Sequence, residues 1–303
     1  MPSSQPLAPT AVIELPDTSD AIPISGDGDD VWIGVDGAIV HVDGRTNARR
    51  RLTVPDMRTG NGSLAMFAGK LWIADWAGNE IERLDPTTGR LELTANAPGP
   101  VGFFVLRDRL WVGSERDKTM YPVDPRTGKL GPKVGSSVGA TIGLGQFWQG
   151  AAGGDTVTRL DPATGSVVGS VTVPAGSGCG VGGAFPDNVW AGCGKFPGME
   201  NPAGEVVVRI DPATNTVVAT ARLPIYGGII VADGVPWFFM PRKTAGATES
   251  SLVSADPATG ALTKAWDLGP LDLDGVVVTS SALWVSDEGG RRVLRYDLAT
   301  LRP

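Results

Sequence analysis

Histidine occurs once in this 303-residue chain, as His41, and cysteine twice, as Cys179 and Cys193. A zinc-ligand cluster needs several such residues at short spacing, and none is present. No nucleophile motif and no phosphate-binding glycine loop occurs either; the isolated Gly-x-Gly pieces lie in strand and turn contexts. Basic charge is in short supply: 26 Lys and Arg face 33 Asp and Glu, for a net charge of −7 and a pI near 4.8. That balance argues against nucleic acid, whose phosphates call for a basic patch. No run of 18 apolar residues exists, so no membrane insertion is expected. The first nine residues, Met1 to Pro9, have neither a basic n-region nor an apolar h-region and are not a signal peptide. They read as a flexible Pro/Ser linker, and a signal or anchor would lie outside this chain.

What the chain has in quantity is glycine (42), proline (24) and tryptophan (9). Seven tryptophans recur about forty residues apart: Trp32, Trp72, Trp111, Trp148, Trp190, Trp237 and Trp284. Each is followed by an aspartate: Asp43, Asp85, Asp124, Asp161, Asp211, Asp256 and Asp297. Around one pair, Leu71 to Ala74 is β-rich, Gly78-Asn79 is a turn and Ile81 to Leu84 alternates apolar with charged side chains. A turn of the form Asp-Pro-x-Thr-Gly then leads into another alternating strand. Proline presets the first turn position, the carboxylate accepts from backbone N–H groups two residues on, and Gly (Asn at Asn215) takes the left-handed conformation. Seven such units predict an all-β, seven-bladed β-propeller with four-stranded antiparallel blades. One large aromatic per blade would fill the gap between neighbours. Trp76 and Trp266 fall outside the beat.

The seventh unit ends six residues after its aspartate, without an outer strand. Residues 10–15, Thr-Ala-Val-Ile-Glu-Leu, match the outer strands that end in Leu-Pro224 and Val-Pro174. The expectation is one propeller domain over 10–303, with the N-terminal strand joining the last blade and closing the ring. Cys179 and Cys193 lie nearly equidistant from a Pro186-Asp187-Asn188 turn, which suits a cross-strand disulfide and an exported protein. The alternative is two buried thiols in a reduced cytosol.

The Trp-to-Asp interval is 11, 13, 13, 13, 21, 19 and 13 residues. Blades five and six therefore carry insertions between their second and third strands, within 193–204 and 240–249. Functional residues favour loops on a rigid scaffold, so a site at the channel mouth near these blades is expected. The candidate ligand-binding residues are Arg58, Asp75, Trp76, Arg116, Tyr226, Arg242, Lys243, Asp287 and Glu288. Glu115, from a second-to-third-strand loop, and Asp272, from a crossover, should reach the same mouth.

The unit from Leu71 to Gly89 resembles the repeat of the virginiamycin B (streptogramin B) lyase family, and the unit from Val207 to Pro224 resembles the YVTN-type propeller repeat. The lyase resemblance implies a Mg²⁺-assisted elimination with a catalytic histidine and carboxylate ligands. Here the only histidine sits in Ile39-Val-His41-Val-Asp43, a third-strand position far from such a site. The second-strand position where the family often has glutamate holds Asp75, Ser114, Ala151, Cys193, Met240 and Asp287. The expected function is an exported, extracellular or periplasmic, monomeric propeller that binds a small polar ligand, a peptide or a protein partner without a cofactor. The alternative is a lyase-like enzyme working through carboxylates, with Mg²⁺ or Ca²⁺ at the channel mouth.

Overall fold

The fold is a seven-bladed β-propeller. The computed structural model describes residues 2–18, 22–54, 62–135, 140–150, 155–173, 179–185, 188–193, 205–223, 228–232, 234–244 and 247–301. Two short strands come first, β1 (Ser4–Pro6) and β2 (Ala11–Glu14). Blade one is β3 to β6 (Ile24–Asp27, Asp30–Val35, Ala38–Val42, Arg49–Thr53), and blade two is β7 to β10 (Gly62–Phe67, Lys70–Asp75, Glu80–Leu84, Leu91–Asn96). Blade three is β11 to β13 (Pro100–Leu106, Arg109–Ser114, Thr119–Val123). Blade four is β14 to β17 (Ala140–Gly143, Gln146–Gly150, Thr156–Leu160, Val167–Thr172), and blade five is β18 to β21 (Cys179–Phe185, Asn188–Cys193, Glu205–Asp211, Thr216–Leu223). Blade six is β22 to β25 (Gly228–Ala232, Val235–Thr244, Ala247–Ala255, Leu262–Pro270). Blade seven takes β26 to β28 (Leu273–Val278, Ala282–Asp287, Arg292–Asp297) and gains β2 as its fourth strand. A single helical turn, α1 (Leu298–Leu301), ends the described chain.

The strands form two compact units. One holds residues 1–7 and 134–270, with blades four to six; the other holds 8–133 and 271–302, with blades seven, one, two and three. Within each, the repeated tryptophan is buried and packs forward. Trp284 clusters with Val31 and Ile33 of blade one, Trp32 with Leu71 and Ile73 of blade two, and Trp72 with Leu110 and Val112 of blade three. In the other unit Trp148 clusters with Val189 and Trp190 with Phe238.

An arginine rides with the tryptophan. Arg83, Arg159, Arg209 and Arg295 stand directly across the strand pair from Trp72, Trp148, Trp190 and Trp284. Each guanidinium then reaches the aspartate turn of the next blade: Arg83 donates to Pro125 O, Arg159 to Pro212 O (2.7 Å), Arg209 to Ala258 O (3.0 Å) and Arg295 to Asn47 Oδ1 (3.4 Å). In blade one the cross-strand place opposite Trp32 belongs to His41, and Arg50 does the reaching, to Pro86 O and Thr87 O (both 3.0 Å). Blades three and six, the last of each unit, carry Pro122 and Ser254 at that place.

The turn chemistry follows the sequence. Asp85 Oδ1 accepts from the N–H groups of Thr87 and Thr88, both at 2.9 Å, and Gly89 N–H donates to Asp85 O with φ +73°. Asp43, Asp124, Asp161, Asp211 and Asp256 repeat the arrangement, closing on Asn47, Gly128, Gly165, Asn215 and Gly260. These backbone bonds hold the carboxyls of Asp43, Asp85, Asp124, Asp211 and Asp256 below their ordinary range. Asp297 departs from the rest: the chain enters α1 and its carboxylate pairs with Arg295 at 2.9 Å.

Three features differ from the sequence reading. The fourth strand of blade three is broken into isolated bridges, among them Val123 to Leu130, with Gly131 N–H donating to Pro122 O. Pro132 follows and has no N–H with which to continue a ladder. The blade-six insertion is no loose loop: it lengthens β23 and β24, pairing Arg242 with Glu249, Lys243 with Thr248 and Thr244 with Ala247. The segment expected as a flexible linker supplies β1, which pairs in parallel with β25 and gives blade six a fifth strand. The expectation for 10–15 holds: β2 pairs antiparallel with β28, Ala11 opposite Arg295 through Glu14 opposite Arg292, and buries Ile13 and Leu15.

Candidate functional site

The turns after each second strand are where the blades differ, and three begin with the same trick. Asp75 Oδ1 accepts from Gly78 N–H (2.9 Å), Ser114 Oγ from Asp117 N–H (3.0 Å) and Asp287 Oδ1 from Gly290 N–H (3.2 Å). Each side chain ends its strand by capping the turn that follows, which a short oxygen acceptor three residues upstream does well. Asp287 goes further. Its Oδ1 also accepts from Asp272 N–H (2.9 Å), and its Oδ2 takes Arg292 Nε at 2.8 Å, with the carboxylate side chain 3% exposed. Asp287 is thus spent on holding two backbone segments and an arginine. Its neighbour Glu288 donates its N–H to Asp272 O.

In blade two the capped turn lifts Trp76 into solvent, 45% exposed. It lies beside the turn of blade three, and its indole N–H donates to Glu115 Oε2 at 2.8 Å. Between them is a cleft of about 510 Å³ lined by Trp76, Ala77, Asn79, Gly99, Glu115, Arg116 and Lys118. Its floor is the connection into blade three. Asn79, at φ +55°, accepts from Gly99 N–H through Oδ1 (3.1 Å), and Gly99 O accepts from Glu115 N–H (2.8 Å). Gly99 is required there: φ is +53°, and a Cβ would lie 3.3 Å from Arg116 Cβ and 3.6 Å from the indole nitrogen.

The charges in the cleft are unevenly committed. Asp117 turns away from it: Tyr121 Oη donates to its carboxylate and Lys133 Nζ sits at 3.2 Å, so the Asp117 carboxyl is held low, by Tyr121 foremost. Glu115 holds the indole and has Lys118 Nζ at 3.9 Å. Arg116 makes no hydrogen bond or ion pair among the described residues. The cleft therefore offers an oriented aromatic face with two cations and one engaged carboxylate beside it.

Of the candidate residues, Trp76 and Arg116 come together here, over a turn fixed by Asp75. Asp287 and Glu288 belong to the blade-seven turn and do not line the cleft. Arg242 and Lys243 lie on the β23 ladder, and their side chains are outside the described set. Arg58 and Tyr226 lie outside the described residues, as does 194–204 of the blade-five insertion. Asn79, Gly99 and Lys118 are not among the sequence-based candidates; Gly78-Asn79 reads as a plain turn, and nothing in the sequence marks Gly99 or Lys118. His41 Nε2–H donates to Asp30 Oδ2 (2.9 Å), and the ring packs on Trp32 with ring centroids 4.8 Å apart, a strand-packing position. Among the described residues no three His, Cys, Asp or Glu side chains gather as metal ligands. In β18 and β19, Cys179 stands directly opposite Cys193, and no cysteine among the described residues is a free thiol.

No family model matches the sequence, and no curated protein matches it. The lyase-family resemblance thus has no sequence match behind it. Solved structures share the fold. U3-55K aligns with a TM-score of 0.67 at 10% identity, covering 93% of both chains. The computationally designed Ika8 protein aligns at 0.62 and 13% identity, over 93% of this chain and 98% of that one. BamB from Moraxella catarrhalis aligns at 0.60 and 14% identity, over 92% and 86%. Identities this low carry the propeller and nothing finer.

Proposed function

We propose that the protein is an exported recognition propeller, and that the cleft between the second-to-third-strand turns of blades two and three receives a carboxylate-bearing segment of its ligand. The observation that carries this reading is Trp76: nearly half exposed, yet oriented by the Glu115 carboxylate beside an Arg116 with no hydrogen-bonded partner among the described residues. A solvent-facing indole provides a large contact at low conformational cost, and a guanidinium with no hydrogen-bonded partner among the described residues can bind a carboxylate through two parallel N–H bonds. Glu115 remains as an acceptor for a neighbouring donor. An acidic peptide segment with an apolar or flat residue beside its carboxylate fits this set.

Export is supported by the cysteines. Opposed across one strand pair, Cys179 and Cys193 suit a disulfide, which persists in an oxidising compartment.

The test is selection from a displayed random peptide library on the intact protein, followed by affinity measurement on Trp76→Ala and Arg116→Glu. Acidic consensus peptides that lose at least about tenfold in affinity with either substitution are expected, which is the scale of one lost charge-assisted contact. Selected peptides indifferent to both substitutions would overturn the site.

A further inference from the structure

The N-terminal segment does something no other described strand does. Among the described residues every other strand pair is antiparallel, whereas β1 lies parallel to β25, Ser4 opposite Ala265, Gln5 opposite Trp266 and Pro6 opposite Asp267. The side chains of Ser4, Gln5 and Pro6 are all exposed. The next residue, Leu7, is buried, 8% exposed, and its N–H donates to Asp267 O at 2.8 Å. The attachment therefore rests on main-chain bonds and one apolar anchor. It occupies three positions of a nine-residue strand. Main-chain bonding with a single side-chain anchor is the recognition mode of a peptide added to a sheet edge.

The edge of blade three shows the contrasting treatment. There Pro132 interrupts the ladder, and Lys133 folds over the edge strand β13, 5.9 Å above the Tyr121 ring and 3.2 Å from Asp117. Proline and lysine at an edge discourage strand addition. On blade six the corresponding lysine, Lys264, is laid across Trp266 at 4.4 Å, and the edge is open enough to take β1.

We propose that the outer edge of β25 is a docking site for an extended segment of a partner protein, added in parallel, and that residues 4–7 are its resident placeholder. Only the four residues 7–10 separate β1 from β2, so the placeholder acts at an effective concentration in the millimolar range. A partner segment must therefore outcompete it by covering more of Leu262–Pro270. It would carry an apolar residue at the place of Leu7 and lack proline among the paired positions. This inference is independent of the Trp76 cleft.

The experiment uses a synthetic peptide of the chain's own residues Pro2 to Ala8, titrated against the intact chain and against Leu7→Asp. Amide hydrogen exchange over Ala265–Asp267 reports whether the placeholder has left. The peptide is expected to bind Leu7→Asp at least about tenfold more tightly than the intact chain and to restore protection of 265–267. A peptide with aspartate in the leucine place is expected to do neither. Should Leu7→Asp leave 265–267 protected, a chain beginning at Ala8 removes the placeholder outright and takes the same titration. Exposed 265–267 in a folded chain with no peptide binding overturns the proposal, as does equal binding to intact and variant chains.

Discussion

Each blade carries two turns of different character. The turn between third and fourth strands is nearly the same six times over, an aspartate collecting backbone N–H groups and a glycine or asparagine at positive φ closing it. The turn between second and third strands begins, in blades two, three and seven, with Asp75, Ser114 and Asp287 and then diverges. The same carboxylate chemistry thus serves both, and residue type alone does not separate scaffold from site. What separates them is the remainder of the turn. In blade seven the surrounding donors use up the aspartate, whereas in blades two and three the turn projects an indole and a guanidinium that the fold does not need.

The largest effect that sharpens this contrast is Asp287→Ala. It leaves Arg292 Nε and the N–H groups of Asp272 and Gly290 without their acceptor in a buried setting. A loss on the order of 3 kcal/mol is expected in denaturant unfolding, because a removed partner leaves buried donors unsatisfied. A loss below half a kcal/mol would return Asp287 to the candidate ligand-binding set. Next comes Gly99→Ala, which forces alanine to φ +53° and a Cβ against Arg116. It is expected to cost about 1 kcal/mol and to weaken ligand binding as well.

Asp85→Asn is a smaller change, read by pH rather than by midpoint. The folded carboxyl is held below its ordinary value, first by the Thr88 N–H and then by Thr87. Such a group contributes stability above its unfolded pKa of about 3.9, and the contribution is lost as pH falls through the lower folded value. Asparagine keeps an acceptor oxygen and does not titrate. The variant's urea midpoint is therefore expected to fall less steeply than that of the native chain below about pH 4; parallel acid curves would contradict the turn reading. The smallest effect on stability belongs to Trp76→Ala, within about 0.5 kcal/mol of the native chain, as for a surface residue whose one side-chain hydrogen bond is solvent-exposed. Its loss of binding should nonetheless be the largest of the four, and a melting temperature that drops with binding intact would reverse the roles assigned to the two turns.

The propeller was legible because its determinants are local and repeated. Proline, aspartate and glycine act within five residues, and the tryptophan interval sets the blade. The missing last strand and its N-terminal replacement could be read for the same reason, since Ile13 and Leu15 keep the apolar alternation of an outer strand. The exceptions are cases where backbone bonding decides. Ser4–Pro6 has no strand pattern, and β1 exists because main-chain groups bond irrespective of side chain. The polar run Arg242 to Thr244 suggests a loop, but register carried over from Trp237–Ser254 extends the ladder through it. The cleft was half legible. Trp76 drew notice by falling off the beat, whereas Gly99 and Asn79 look like ordinary turn residues until the fold sets them beneath it.

Five of the arginines that cross between blades point the same way, whereas Arg49 of blade one reaches back to Val12 O of blade seven. Arg50, Arg83, Arg159, Arg209 and Arg295 each reach from one blade to the turn of its successor, never to its predecessor. Local opening in such an array has a polarity. Damage at Trp72 or Arg83 should loosen the Asp124 turn downstream while leaving the Asp43 turn upstream tight, so amide exchange would trace the order of the blades as a one-way signal that stops within each unit, where Pro122 and Ser254 replace the arginine.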